Sequence, residues 1–231
     1  MKRIFCLLLI SLLLAGCSSQ ESAVPETIQP AETAAPENTT AATVVTEPPE
    51  PESEDTFVRV LDYIPTAAQE LRYATENNFT KQRIYDFEDV YLRWGTVKKL
   101  QLVCADLAEL DLYIKIWDGF RPVSAQFVLW EVYPDPTYVA NPNKGFSSHS
   151  RGNTVDLTLV DPQGREVEMP TGFDDFSAKA DRDYADCTEA AANHARILEL
   201  LMEKHGFIGY SGEWWHYSDV TDYPVEHVFE P

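Results

Sequence analysis

Ser147-Ser148-His149-Ser150-Arg151-Gly152-Asn153-Thr154-Val155-Asp156 is answered, far along the chain, by Glu213-Trp214-Trp215-His216. Asp156 opens the run Asp156-Leu157-Thr158-Leu159-Val160, where Leu157 and Leu159 alternate with Asp156 and Thr158. That is the period of a half-buried strand. A carboxylate on the inner face of a strand is costly unless a cation compensates it. His149 lies on the loop before the strand, and Gly152 frees the chain to turn that loop back on it. Two imidazoles and one carboxylate form the N/O set that hydrolytic zinc sites use while keeping a fourth position for water. We therefore read His149, Asp156 and His216 as ligands of one zinc ion per chain. Glu213 stands three residues before His216, near the metal but free of it, in the place of a general base that takes a proton from water. The helix-borne H-E-x-x-H pattern is absent, so a different geometry is expected.

Working outward, four stretches carry a family resemblance. Ser147-x-His149-x-x-Gly152-x-Thr154-x-Asp156 resembles the zinc signature of the D-alanyl-D-alanine dipeptidases of the VanX type, in peptidase family M15, and Glu213-Trp214-Trp215-His216-Tyr217 resembles their second signature. Asp118-Gly119-Phe120-Arg121-Pro122 is similar to their arginine motif, and the segment from Leu71-Arg72-Tyr73 to Asn77-Asn78-Phe79 to their N-terminal segment. The resemblance runs from about Val58 to the C-terminus. It implies a Hedgehog/DD-peptidase-like zinc peptidase domain that hydrolyses D-alanyl-D-alanine or a related D,D-dipeptide. It implies that Arg121 steadies the oxyanion and that Asp174 meets the substrate ammonium, with Asp175 in reserve. Ser147 either hydrogen-bonds substrate or caps its loop, and Tyr73 either walls the pocket or fills core. Trp214 and Trp215 are expected to pack around the zinc rather than touch substrate. The sequence departs from the family pattern at Thr154, where Ala is usual, and at Lys81, where Gly is common.

The N-terminus adds a third departure. Met1-Lys2-Arg3 precedes an apolar run too short to span a membrane as a mature helix, which ends at Leu14-Ala15-Gly16-Cys17. Residues 1–16 read as a lipoprotein signal peptide with Cys17 as the lipidated residue. Residues 17–55, rich in Pro, Glu, Thr and Ala and without Lys or Arg, read as a disordered acidic tether. The expected location is the outer face of a bacterial cytoplasmic membrane, whereas the well-known members of the family are cytoplasmic. Export motivates a second reading, a D,D-carboxypeptidase or endopeptidase trimming peptidoglycan stem peptides. A catalytically silent binding module is a third, but such a module has no need of Glu213.

Residues 56–231 suffice for one domain with a real core. The formal charge of -20 argues against nucleic acid as a partner, and a small zwitterionic dipeptide is expected instead. Of the cysteines, Cys104 falls on the apolar side of a helix as a buried thiol, and its pairing with Cys187 is open. The periodicity gives a helix capped by Thr96 and running to about 110, with Val97, Leu100, Cys104 and Leu107 on one face. A strand over 112–117, a helix over 122–133, a loop over 134–146 and strands over 154–160 and 165–169 follow. The longest helix spans 190–205 and ends at Gly206, ahead of strands over 207–210 and 214–218. His194, His205 and His227 read as structural or solvated. The expected architecture is α+β, a central antiparallel sheet flanked by helices.

Overall fold

The computed structural model describes residues 48–231. The expected signal peptide, Cys17 and the tether up to residue 47 lie outside the described residues. Among the described residues no helix is long and apolar enough to cross a membrane.

In chain order the elements are β1 (Phe57–Arg59), α1 (Val60–Tyr63), β2 (Ala68–Gln69), β3 (Tyr91–Arg93), α2 (Trp94–Ala108), β4 (Tyr113–Asp118), α3 (Val123–Val132), β5 (Thr154–Val160), α4 (Glu189–Lys204), β6 (Phe207–Tyr210) and β7 (Glu213–Asp219). A five-stranded sheet runs in the order β2-β4-β5-β7-β6, and β1 pairs with β3 in a separate antiparallel ribbon. The α+β architecture is as expected, but the sheet is mixed, since β2 runs parallel to β4 at one edge. The other pairings are antiparallel.

β5 lies at the centre of this sheet, and all seven of its residues are buried. The half-buried strand read from its alternation is thus a strand covered on both faces. Leu157 and Leu159 enter the apolar core, while Thr154, Asp156 and Thr158 point the other way. α2 rests against β4 and α4 against β6 and β7, and the two helices touch one another. Val97, Leu100, Val103 and Leu107 form the buried side of α2, and Ala191, Ala195, Leu198 and Met202 that of α4. Each large aliphatic side chain fully buried in this way contributes about 1.5–3 kcal/mol. Thr188 caps α4, its side-chain oxygen accepting the Ala191 N–H, and Gly206 stops the helix at φ +85.

Several expectations are corrected. Thr96 does not cap α2. Arg93 holds the cap position, and the buried Thr96 hydroxyl donates to Asp219 instead. Val103 joins the buried stripe of α2, and Cys104 sits half-buried beside it, its thiol pushed up to about 12 by burial. Cys104 and Cys187 are both free thiols. No strand forms over 165–169. β7 pairs with β5 only as far as Asp156, and the 165–169 segment fills the vacated edge with one bridge, Val160 to Glu166, and one bond from the Val167 N–H to Leu159. Glu54 and Asp55, read as the end of the tether, already touch the domain. Their carbonyls accept from Gly95 and from Arg93.

The departures at Thr154 and Lys81 each have a physical reading. The Thr154 hydroxyl is fully buried but bonds the Ser218 hydroxyl across the strand pair at 2.9 Å, so the extra polar atom is satisfied. Lys81 has no such compensation. It sits exposed at φ 58, in the left-handed region that favours glycine. Gly152, also left-handed at φ 74, packs so tightly that an added Cβ would lie 2.3 Å from the Phe57 ring. Lys81→Gly is therefore expected to stabilise the domain by up to about 1 kcal/mol. Gly152→Ala is expected to cost about 2–4 kcal/mol, from left-handed strain plus overpacking. Denaturant midpoints of the two variants check the opposite signs.

Candidate active site

The short 3-10 turn Ser148–Arg151 carries His149, and Gly152 ends it. The Ser147 side-chain oxygen accepts the His149 N–H at 3.3 Å, so Ser147 caps the loop while also lining the cleft. Antiparallel pairing sets Asp156 of β5 directly opposite His216 of β7, on one face of the sheet. Three residues distant in sequence thereby converge. One candidate ligand atom from each of His149, Asp156 and His216 lies within 4.8 Å of the others. His149 Nε2 is 3.3 Å from an Asp156 oxygen and 3.3 Å from His216 Nδ1, and His216 Nδ1 is 3.0 Å from the other Asp156 oxygen.

The fit to a cation is specific. His149 Nδ1 lies 2.8 Å from the Gly119 carbonyl, which can only accept. That bond places the proton on Nδ1 and leaves the Nε2 lone pair facing the cluster, the usual way a ligating imidazole is oriented. Burial raises the Asp156 carboxyl, but His149 and His216 overcome it and hold the group well below the usual carboxylate range. An ionised buried carboxylate facing two imidazole nitrogens is a donor set for a borderline divalent ion such as zinc.

Glu213 points into the same place. Its Oε2 is 3.7 Å from His216 Nδ1, outside the tight trio. In a regular strand residues three apart face opposite ways. Here the register of β6 against β7 shifts between Gly209 and Tyr210, and this irregularity brings Glu213 and His216 to one side. Burial pushes the Glu213 carboxyl up to about 7, with His216 pulling the other way. A cation beside it would lower that value further.

Arg121 lines the same cleft, almost fully buried. Its Nε and Nη2 donate to Asp118, at 3.1 and 2.6 Å, and Nη1 donates to Gln126 at 2.8 Å. Those bonds use three of the five guanidinium N–H groups, leaving one on each terminal nitrogen. Asp118 is fully buried and also accepts from Tyr85. Opposite, the Tyr73 hydroxyl donates to Asp174 at 3.2 Å, and both line the cleft. Asp174 is held at φ 58, and its carboxyl is raised well above the ordinary range by burial and by Asp156. Asp175 bonds a neighbouring backbone N–H and does not line the cleft.

The cleft encloses about 210 Å³, and its wall includes Phe79, Tyr138, Phe176, Tyr210 and Trp215. All eight residues expected at the site thus line one cavity: His149, Asp156, His216, Glu213, Arg121, Asp174, Ser147 and Tyr73. Trp214 is buried behind it, its Nε1 donating to Thr171. His194, His205 and His227 do not line the cleft and lie against Glu168, Asp106 and Phe146. The sequence reading missed Gln126, Tyr85 and the cleft-facing Tyr210 and Tyr138. Each is an ordinary polar or aromatic residue with no local pattern to mark it.

Residues 53–230 match the family model described as D-ala-D-ala dipeptidase. A D-alanyl-D-alanine dipeptidase of Escherichia coli (strain K12) is 36% identical over 160 residues, covering 68% of this chain and 81% of that protein. One from Enterococcus faecalis is 33% identical over 174 residues, covering 66% of this chain and 86% of its own length. The solved vancomycin-resistance D,D-pentapeptidase VanY, in complex with Zn(II), superposes with a TM-score of 0.38 at 18% identity, over 57% of this chain and 74% of that one; so distant a likeness has no bearing on the chemistry. With a match that spans nearly all the described residues, the chain belongs to the D-Ala-D-Ala dipeptidase family.

Proposed function

We propose that the protein hydrolyses D-alanyl-D-alanine, or a closely related D,D-dipeptide, into free amino acids in a zinc-dependent reaction. The observation that carries this reading is a buried two-His, one-Asp trio with a carboxylate beside it that is not part of the trio. Family membership supplies the substrate class. His149 Nε2, Asp156 and His216 Nδ1 would hold the ion. Zinc in such a site supplies a Lewis acid that polarises a carbonyl and acidifies water.

The chain's own groups do the rest. Glu213, buried and close to the trio, takes the proton from the attacking water and passes it to the leaving amine. Arg121 offers two uncommitted N–H groups to the developing oxyanion. Its clamp on Asp118 and Gln126 means that little reorganisation is needed when charge develops. Asp174, costly to ionise in its buried place, gains a partner when the substrate ammonium enters, and Tyr73 orients it. Serving a free ammonium favours a free dipeptide over an acylated peptide.

The same reading takes in the N-terminus. The apolar run ending at Leu14-Ala15-Gly16-Cys17 supports export and anchoring through lipid on Cys17, at the outer face of a bacterial cytoplasmic membrane. In that setting the substrate would be wall-derived peptide. Cys17→Ser is expected to abolish incorporation of labelled fatty acid, and persistence of the label would refute the anchor.

Glu213→Ala is expected to lower kcat by about 10²–10⁴ while the protein still retains zinc; unchanged turnover would remove Glu213 from its role. Asp174→Asn is expected to lower kcat/KM on free D-alanyl-D-alanine by about 10–100-fold, the loss of one charge-assisted contact. Wild-type enzyme assayed on the free and N-acylated dipeptide is expected to prefer the free one. The opposite preference would favour a carboxypeptidase.

A further inference from the structure

The stretch that carries Glu213 and His216 is poorly supported by its own sheet. Across the register shift, Gly209 faces Tyr217 and the next residue, Tyr210, faces Glu213. Trp214, Trp215 and His216 therefore have no partner in β6, and on the other side β5 reaches only His216. Ladder bonds are thus missing where the base and a ligand must be held to a fraction of an ångström.

One side chain from outside the sheet fills that gap. Arg182 lies on the connection between β5 and α4, and its Nη2 donates to the carbonyls of Trp214 and His216, at 3.1 and 2.9 Å. Its Nε donates to the Tyr210 carbonyl at 2.8 Å, and its own backbone N–H donates to Ser211. The guanidinium thus grips both sides of the β6–β7 turn. It is itself fixed from behind: Nη1 donates to Glu199 of α4 and to the Tyr217 hydroxyl, and the group lies 4.3 Å over the Tyr217 ring. Gly209 makes room for it, since a Cβ there would stand 2.3 Å from the guanidinium carbon. A planar fork with five donors can serve carbonyls in several directions at once, which a lysine ammonium on a flexible stem cannot reproduce.

We propose that Arg182 is a positioning residue for the metal centre. It replaces the missing ladder bonds of residues 214–216 and so sets the places of His216 and Glu213, with Gly209 as the space that admits it. Arg182 does not line the cleft, and it meets the trio only at the backbone carbonyl of His216, away from the candidate ligand atoms. The consequence for turnover rests on the dipeptidase reading; the consequence for zinc retention does not.

The test compares wild type, Arg182→Lys, Arg182→Ala, Gly209→Ala and the Arg182→Ala/Gly209→Ala double variant, all as zinc-loaded full-length chains. Zinc retention against a graded chelator is expected to weaken about 10–100-fold in each Arg182 variant, as for loss of an outer support of a metal ligand. kcat should fall by a similar factor, with KM changed by less than about 3-fold. Gly209→Ala should move both in the same direction, and the double variant should be no worse than Arg182→Ala alone, because both act through one guanidinium. Amides of residues 211–217 should exchange faster in each variant than in wild type. Should Arg182→Ala fail to fold, Arg182→Lys and Gly209→Ala decide. Zinc retention and kcat within about 2-fold of wild type in those two, or a lower melting temperature alone, would overturn the proposal. A wild type that holds zinc and cleaves no D,D-dipeptide, with variants that hold zinc less well, would sink the dipeptidase reading and leave the clamp standing.

Discussion

Asp156 is an ionised carboxylate in the middle of a central strand that is buried along its whole length. Such a group is tolerated only where positive charge or a metal meets it. The fold is arranged to provide that meeting. The pairing of β5 with β7 sets His216 directly across from it, and the turn ended by Gly152 folds His149 onto it. The remaining parts of the site are fixed by reference to this one charge.

A second buried charge pair runs beside the first. Asp118, at the end of β4, pairs with Arg121 three residues later and lies 3.7 Å from His149 Nδ1. The β4–β5 pairing brings Asp118 opposite Asp156, so the two carboxyl groups sit at one level of the sheet. Arg121 offsets that accumulation, and removing it would leave a buried carboxylate uncompensated as well as a cleft without its donor. Charge balance and catalysis therefore draw on the same guanidinium. Asp174, raised by burial and by Asp156, completes a cleft whose net need is for cations, which suits a metal ion and a substrate ammonium.

Much of this was legible in the sequence because the site is made of short motifs with chemistry in them. His149, Asp156, Glu213 and His216 could be named from residue type and spacing, and Arg121 and Asp174 from the family resemblance. β5, α4 and β6 follow periodicity and caps closely. What could not be read depends on pairing between distant segments. The 165–169 segment alternates like a strand, yet only the short edge of β5 beyond Asp156 is open to it, and it makes one bridge there. Thr96 is a good capping residue drawn instead to Asp219, which only the tertiary fold brings near. Arg182 had no signal, because a lone arginine in an acidic loop gives no hint that three carbonyls of another segment lack partners. Conversely, the glycine missing at Lys81 was visible in the sequence, and its cost became clear only from the backbone angle.

Everything at the site turns on His149, Asp156 and His216 sharing one divalent ion. Metal analysis joined to X-ray absorption at the zinc edge, on purified full-length chain, tests it most directly. One zinc per chain is expected, in an N/O environment with two imidazoles and no sulfur, and lost in His216→Ala. A chain that takes up no stoichiometric zinc, or zinc bound through Cys104 or Cys187, would contradict it.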